Sequence, residues 1–338
     1  DLCAQIGREY GDEAVIPQDI NGLRDDFARR LALASAERPI VVLLDALDQL
    51  SLNDAADSLN WLPTALPAGA RLVVSVVERE DEAGAWWRVL QHRVAAENQV
   101  RLPLLASKDG AAILREWMTQ AGRTLTDDQY RSVLRGLARS GLPLYLRLVF
   151  EEARLWRSYD GIPCASDGAP GPASDVLGLI RDLLWRLSRG ALHGEVLVRQ
   201  ALGYLGAARN GLADREMLEV LWRDAQVRDD LRRRSPHSPA TDSLPPIIWS
   251  RLYADLSSYL VQRSADGMAL LGFYHRQFAE VVGRSYLTEG KARDFHLHLA
   301  AYFGEQELWL LAEGVRRRPN LRRASELVTQ QAGGECWT

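Results

Sequence analysis

The stretch RPIVVLLDALDQLS, residues 38–51, constrains the fold of this chain more than any other. Pro39 ends any preceding helix, and five apolar residues, Ile40 to Leu44, then run unbroken into Asp45. A half-solvated strand alternates apolar and polar residues, whereas a continuous run is the pattern of a parallel strand covered on both faces. A second such strand is predicted at 71–77 (RLVVSVV), after the turn LPAGA, and a third, short one at 99–105 (QVRLPLL). Helical spacing through Leu23, Phe27, Leu31 and Ala34 precedes the first strand, within residues 22–36. Helix and strand in alternation specify an α/β layer built on a parallel sheet.

From Ser107 onward the pattern is helical. Ser107 and Thr126 are read as caps of two successive helices, and a third begins directly after Gly141. The segment 159–175 (YDGIPCASDGAPGPASD) is the richest in Gly, Pro, Ser and Asp and reads as a linker. A further helical block runs from Val176 to about Ala225, with Asp214 as a cap. The charged stretch 223–246 reads as a flexible, solvated insertion. Helix IIWSRLYADLSSYL is followed by two short strands joined at Ala265-Asp266-Gly267, a hairpin signal. Helices followed by a hairpin within ~110 residues outline a winged helix, a variant of the helix-turn-helix class. The tail from Lys291 is helical again and has the look of the start of a helical repeat.

Composition excludes several classes of function. With 338 residues, 47% hydrophobic, 25% charged and a formal net charge of −4, the chain has length for two or three globular domains. The near-neutral balance argues against nucleic acid as the main partner. Cys3, Cys164 and Cys336 lie far apart with no zinc spacing, which points to a reducing intracellular, cytoplasmic setting. His296 and His298 sit two apart, on different faces of a helix, and read as ordinary helix residues. No run of ~18 apolar residues marks a membrane span, and no apolar signal core opens the chain. The chain begins on Asp1 rather than Met and reads as a piece of a longer protein.

The chemistry lies in the acids. Asp45 falls at the C-terminal end of a parallel strand, the ligand-binding edge of an open α/β sheet. In nucleotide-hydrolysing folds an acid there holds Mg²⁺ beside the phosphates. Ala46 is small enough for a loop to lie close to a nucleotide. Asp48, three residues on, is placed to orient a water or complete the metal shell.

The order VVLLDALDQL, then NWLPTALPAGARLVVSVV, resembles the NACHT class of STAND signal-transduction NTPases, most of all its nephrocystin-like and telomerase-associated branch. The resemblance implies a Walker B strand with Asp45 as the Mg²⁺ acid, Asp48 as the second acid and Ser75 at the sensor position. SGLPLYLRL resembles the family's GxP element, which implies that Pro143 packs on the adenine and Gly141 permits the close approach. LLGFYHRQFAEVV resembles the winged-helix motif in which a His touches the β-phosphate; here that is His275. Read without the resemblance, Pro143 simply starts a helix, and His275 is a capping or core histidine. Two departures argue against efficient hydrolysis. Gln49 stands where many members carry Glu, and no Arg directly follows Ser75, the next being Arg79.

The family's Walker A loop, G-x-x-x-x-G-K-[ST], does not occur in these 338 residues. The two lysines decide this. Lys108 lies in ASKDG, and Lys291 in TEGKAR, with Ala292 in place of Ser/Thr and Ser285 in place of the first Gly. The fold class expected is therefore α/β, then mainly α. The implied layout is the remainder of a parallel-sheet P-loop NTPase domain over 1–105, a helical domain over 106–158, the linker 159–175, a winged helix over 176–288 and the first helical repeats over 289–338. The implied function is an ATP/ADP- and Mg²⁺-dependent switch, with nucleotide as ligand, protein partners reached through repeats and self-assembly, and no membrane. Two other classes stand beside it. One is a winged-helix DNA-binding regulator, which would need a basic recognition helix. The other is a nucleotide-free scaffold or interaction module.

Overall fold

The computed structural model describes residues 2–49, 59–78, 85–159, 161–237, 241–311 and 317–336. The chain forms two compact units, 1–103 and 104–338.

In the first unit, α1 (Leu2–Tyr10) and α2 (Ile20–Leu31) precede β1 (Ile40–Leu44) and β2 (Ala70–Val74), and α3 (Ala85–Arg93) follows. Asp19 caps α2 by accepting a hydrogen bond from the Gly22 amide at 2.8 Å. The helix ends at Leu31, well before Pro39. β1 and β2 pair in parallel, Ile40 opposite Ala70 and Leu44 opposite Val74. One face of the pair is core: Ile40, Val42 and Ala70 pack with Cys3, Ile6, Phe27 and Leu31. The other face is not covered among the described residues, with Val41, Leu43 and Val73 all exposed. The expectation of cover on both faces is thus corrected: the apolar run is real, but only alternate residues find packing partners. The second predicted strand is shorter than 71–77. The third, at 99–105, does not form: the segment has no ladder partner among the described residues, and Val100, Leu102 and Leu104 are exposed. A strand exists only when a second backbone accepts its hydrogen bonds, and apolar content alone does not supply one.

In the second unit, α4 (Ser107–Gln120), α5 (Asp127–Ser140), α6 (Pro143–Ala153), α7 (Val176–Leu187) and α8 (Glu195–Ala207) lead to α9 (Asp214–Arg223), α10 (Ala225–Arg234) and α11 (Pro246–Leu256). The hairpin β3 (Leu260–Ala265) and β4 (Met268–Phe273) follows, then α12 (Arg276–Tyr286), α13 (Lys291–Gly304), a short hairpin β5 (Trp309–Leu311) and β6 (Arg317–Pro319), and α14 (Leu321–Gly334). The molecule is mixed α/β and mostly helical. A continuous apolar core runs from Leu114 and Leu137 through Leu183 and Leu202 to Phe303. Each fully buried leucine in it contributes roughly 2 kcal/mol of transfer free energy.

Local chemistry sets most of these boundaries. Thr126 caps α5 as a reciprocal box: its hydroxyl accepts from the Gln129 amide and the Gln129 side chain accepts from the Thr126 amide. The caps expected at Ser107 and Asp214 fall instead one residue earlier, at Ala106 and Ala213. Asp214 accepts from the Trp249 indole at 3.0 Å, and Glu216 closes back on the Ala213 amide at 2.9 Å. The Asp266-Gly267 turn of the β3–β4 hairpin has φ of 53° and 79°, the two positive values that a two-residue Asp-Gly turn requires.

Two segments read as loose are packed. The linker 159–175 is held by Asp182, whose carboxylate accepts from the Ser166 and Ala173 amides, and by the buried Gln129, whose amide donates to Arg157 and Gly161. The insertion 223–246 contains α10, because the buried Asp224 caps it and is itself held by Tyr204 at 2.6 Å and by Gln200. Residues 160 and 238–240 of these segments lie outside the described residues.

Candidate functional site

The C-terminal ends of β1 and β2 carry the acids. Ser75, just past β2, continues the parallel ladder by donating its amide to the Leu44 carbonyl at 2.9 Å, and its own carbonyl accepts from Leu47 at 3.0 Å. The Ser75 hydroxyl is placed between two groups of the facing loop. It donates to Asp45 Oδ1 at 2.5 Å and accepts from the Ala46 amide at 2.7 Å. The exposed Asp45 carboxylate is therefore aimed by a hydroxyl just past the neighbouring strand, thirty residues away in sequence.

Ala46 makes this possible at a cost. Its φ of 55° is left-handed, a region that disfavours a side chain by roughly 1–2 kcal/mol. That turn points the Ala46 amide at Ser75 and drops Leu47 into a second apolar cluster with Leu59, Leu62, Trp86 and Leu90. Asp48 begins the next turn and accepts from the Val77 amide at 3.3 Å. Two carboxylates and a hydroxyl at one strand edge form a hard-oxygen set. Such a set suits Mg²⁺, which keeps several waters and takes only one or two carboxylates from protein. No group of three or more His, Cys, Asp or Glu suited to a metal occurs among the described residues.

The remaining sequence-predicted residues belong to the second unit. Gly141 ends α5 in the left-handed region, φ 63°, donating to Leu137 and accepting from the Leu105 amide, both at 2.7 Å. A Cβ there would meet the Leu104 side chain at 2.9 Å, so glycine is required for both backbone and space. Pro143 is exposed at the first position of α6, where its missing N–H costs nothing. His275 is the half-buried N-cap residue of α12, with its ring edge-on to Tyr274 at 4.4 Å. Burial pushes its pKa down, so the imidazole is neutral at pH 7.

The structure brings Asp45 and Ser75 into contact, and Asp48 accepts from the Val77 amide two residues past Ser75. It puts Gly141 and Pro143 at one helix junction. Arg79 lies outside the described residues. Sequence reasoning missed the Ala46 amide as a partner of Ser75, because nothing in an alanine codes for positive φ. It also missed Leu212, which pairs antiparallel with Leu271 through two hydrogen bonds, at 3.1 and 2.8 Å, and gives the β3–β4 hairpin a third backbone. The signal for it was Gly211: with φ of 93° and Leu271 O only 1.9 Å from where a Cβ would sit, no other residue fits.

No family model matches the chain. Among known proteins, NACHT and WD repeat domain-containing protein 2 of Homo sapiens is 32% identical over 307 residues, covering 89% of this chain and 17% of that protein. NACHT domain- and WD repeat-containing protein 1 of Homo sapiens is 32% identical over 266 residues, covering 78% of this chain and 16% of that protein. Telomerase protein component 1 of Rattus norvegicus is 26% identical over 228 residues, 65% of this chain and 8% of that protein. The chain thus spans less than a fifth of the length of the relatives it matches. These identities support membership of the NACHT family, this chain being related to one stretch of proteins whose names pair a NACHT domain with WD repeats.

Proposed function

We propose that the chain is part of a NACHT-type signalling NTPase and works as a nucleotide-dependent switch, with ATP or ADP and Mg²⁺ as ligands. The observation that carries this is the hydroxyl of Ser75 held between Asp45 and the left-handed Ala46 at the C-terminal edge of a parallel strand pair. That edge is where open α/β sheets bind their ligands. Asp45 would hold Mg²⁺, with Asp48 orienting its water shell; the ion, when bound, would neutralise phosphate charge. Ser75 fixes the Asp45 carboxylate and is the sensor position. In the second unit, Gly141 and Pro143 would receive the adenine, and His275, neutral and with no hydrogen bond to its ring among the described residues, would donate to a phosphate oxygen.

The finer layout belongs to the same proposal: the remainder of the nucleotide domain over 1–105, a helical domain over 106–158, the segment 159–175, a winged helix over 176–288 and the start of a repeat region over 289–338. Leu212, β3, β4 and the helices before them support the winged helix. So do a cytoplasmic location and protein partners follow from the family reading. No helix among the described residues is long and apolar enough to cross a membrane. The phosphate-cradling loop is absent from the 338 residues, and we infer that the longer protein supplies it. The isolated chain then lacks the backbone amides and lysine that carry most of the affinity for a triphosphate.

The DNA-binding alternative is disfavoured by the hairpin. Its Asp266 turn is occupied by Arg322 and Ser325 of α14, at 3.0 and 2.6 Å. The test is calorimetric binding of ATP and ADP, with and without Mg²⁺, to the longer protein and its Asp45→Asn variant. Mg²⁺-dependent binding that the variant loses is expected. Tight binding with no dependence on Mg²⁺ or on Asp45 would defeat the assignment.

A further inference from the structure

Helix α7 carries a stripe that its packing does not use. Arg181, Trp185 and Arg189 are spaced four apart, on one side of the helix and its closing turn. The core side is formed by Leu179, Ile180, Leu183 and Leu187. Trp185 keeps 48% of its surface exposed, although an indole has more to gain from burial than almost any side chain. The Arg189 guanidinium lies over its ring, 5.0 Å from the centroid. Neither Arg181 nor Arg189 has an ion-pair partner among the described residues, whereas Arg186 of the same helix is forked onto Glu152 through two bonds of 2.8 Å. The negative C-terminal end of α7 accounts for a cation near residue 189. It does not account for Arg181, which is mid-helix, or for a large exposed aromatic.

The stripe borders an open groove of about 380 Å³, closed on the other side by Tyr286 at the end of α12. Glu195 also lines the groove, and the cation it pairs with is Arg199, at 3.7 Å; no carboxylate among the described residues pairs with Arg181 or Arg189. Trp, Tyr and Arg are the residues that carry most binding energy at protein interfaces. Their spacing here also sets a geometry. Arg181 and Trp185 lie one helical turn apart, about 6 Å along the axis, and Arg189, just past the helix end at Leu187, stacks on the Trp185 ring. An extended chain rises about 3.3 Å per residue with alternate side chains on one face, so residues i and i+4 span about 13 Å with i+2 between them.

We propose that this groove docks an extended acidic segment of a partner protein, with the pattern acid–x–apolar–x–acid. The two carboxylates would meet Arg181 and Arg189, and the apolar side chain would lie on Trp185. This site is independent of the nucleotide reading.

The probe is the fluorescein-labelled peptide GSESLSESG, titrated with the 338-residue chain and followed by anisotropy at low and physiological salt. Saturable, salt-sensitive binding is expected, weakened about tenfold, or 1.4 kcal/mol, by Arg181→Glu, by Arg189→Glu or by Trp185→Ala. All three positions are exposed, and unchanged circular dichroism would show that the variants fold. The lysine peptide GSKSLSKSG should not bind. Equal binding of the two peptides, or binding indifferent to all three substitutions, would overturn the proposal. So would the absence of saturable peptide binding at both salt concentrations; Trp185-dependent dimerisation or Arg181-dependent capture of duplex DNA or ATP would then give the face to a second copy or to phosphate.

Discussion

Arg322 of α14 forks onto Glu216 of α9, its Nε and Nη2 each donating at 2.9 Å to a different carboxylate oxygen, across 106 residues of sequence. The same guanidinium reaches Asp266 at the hairpin turn, Glu326 one turn along α14, and the Gly211 carbonyl. One cation thus ties α14 to α9 and to the β3–β4 hairpin within a buried cluster of acids.

Arg322→Ala should be the most damaging substitution of a charged residue in the second unit. It would leave Glu216 and Glu326, both buried, without their counter-charge, at a cost of about 3–5 kcal/mol. Urea unfolding followed by circular dichroism measures it; a loss below about 1 kcal/mol would mean that the cluster is not intact in solution.

Gly211→Ala should destabilise by about 2 kcal/mol or more, since a methyl group there has both a left-handed φ and a carbonyl oxygen in its way. Gly283→Ala is the control: its Cβ would meet open space, and alanine is the better helix former by about 1 kcal/mol. Thermal melts of the two variants should shift in opposite directions.

Ser75→Ala would strand the Ala46 amide and release Asp45. A loss of about 1 kcal/mol is expected, the usual net value of such hydrogen bonds. Ser75→Thr, which keeps the hydroxyl, should restore most of it. If Ala and Thr behave alike in chemical denaturation, the hydroxyl is not what holds the loop.

Acid should destabilise the second unit in two stages. Burial depresses the pKa of His275 below 6.5, so its contribution is fully present above that value and is lost as pH falls through the folded pKa. His275→Gln should flatten this first loss in a series of melts against pH. The second stage comes from Asp266. Burial acts to raise its pKa, but hydrogen bonds from Ser325, Arg322 and Asn210 outweigh it and hold the carboxyl below 3.8. Its contribution is present above 3.8 and lost as pH falls through the lower folded value. Asp266→Asn should remove the second loss and leave the first.

The sequence by itself determined what a few neighbouring residues can settle. The apolar run Ile40–Leu44 after Pro39 is extended rather than helical, and β2 then supplies the ladder that makes it a strand. Thr126 with Gln129 starts α5, Gly141 stops it, and Asp266-Gly267 turns the hairpin. Each of these depends on backbone sterics or on hydrogen bonds spanning two to five residues. The order of acid, small residue and second acid also marks the candidate site in the sequence itself.

Only the tertiary structure decided what depends on a distant partner. Residues 99–105 have a strand's composition and no strand, because no described strand pairs with them; a single bond from the Leu105 amide to the Gly141 carbonyl is not a ladder. Val41 and Leu43 are as apolar as Ile40 and Val42, yet only the latter pair has α1 and α2 to pack against. The charged stretch 223–246 gains a helix because Tyr204 and Gln200 hold its capping Asp224 in the core. Ser75 aims Asp45 because parallel pairing puts β2 beside β1. Apolar pattern and turn chemistry are written locally, whereas burial and charge pairing belong to pairs of residues that only chain folding brings together.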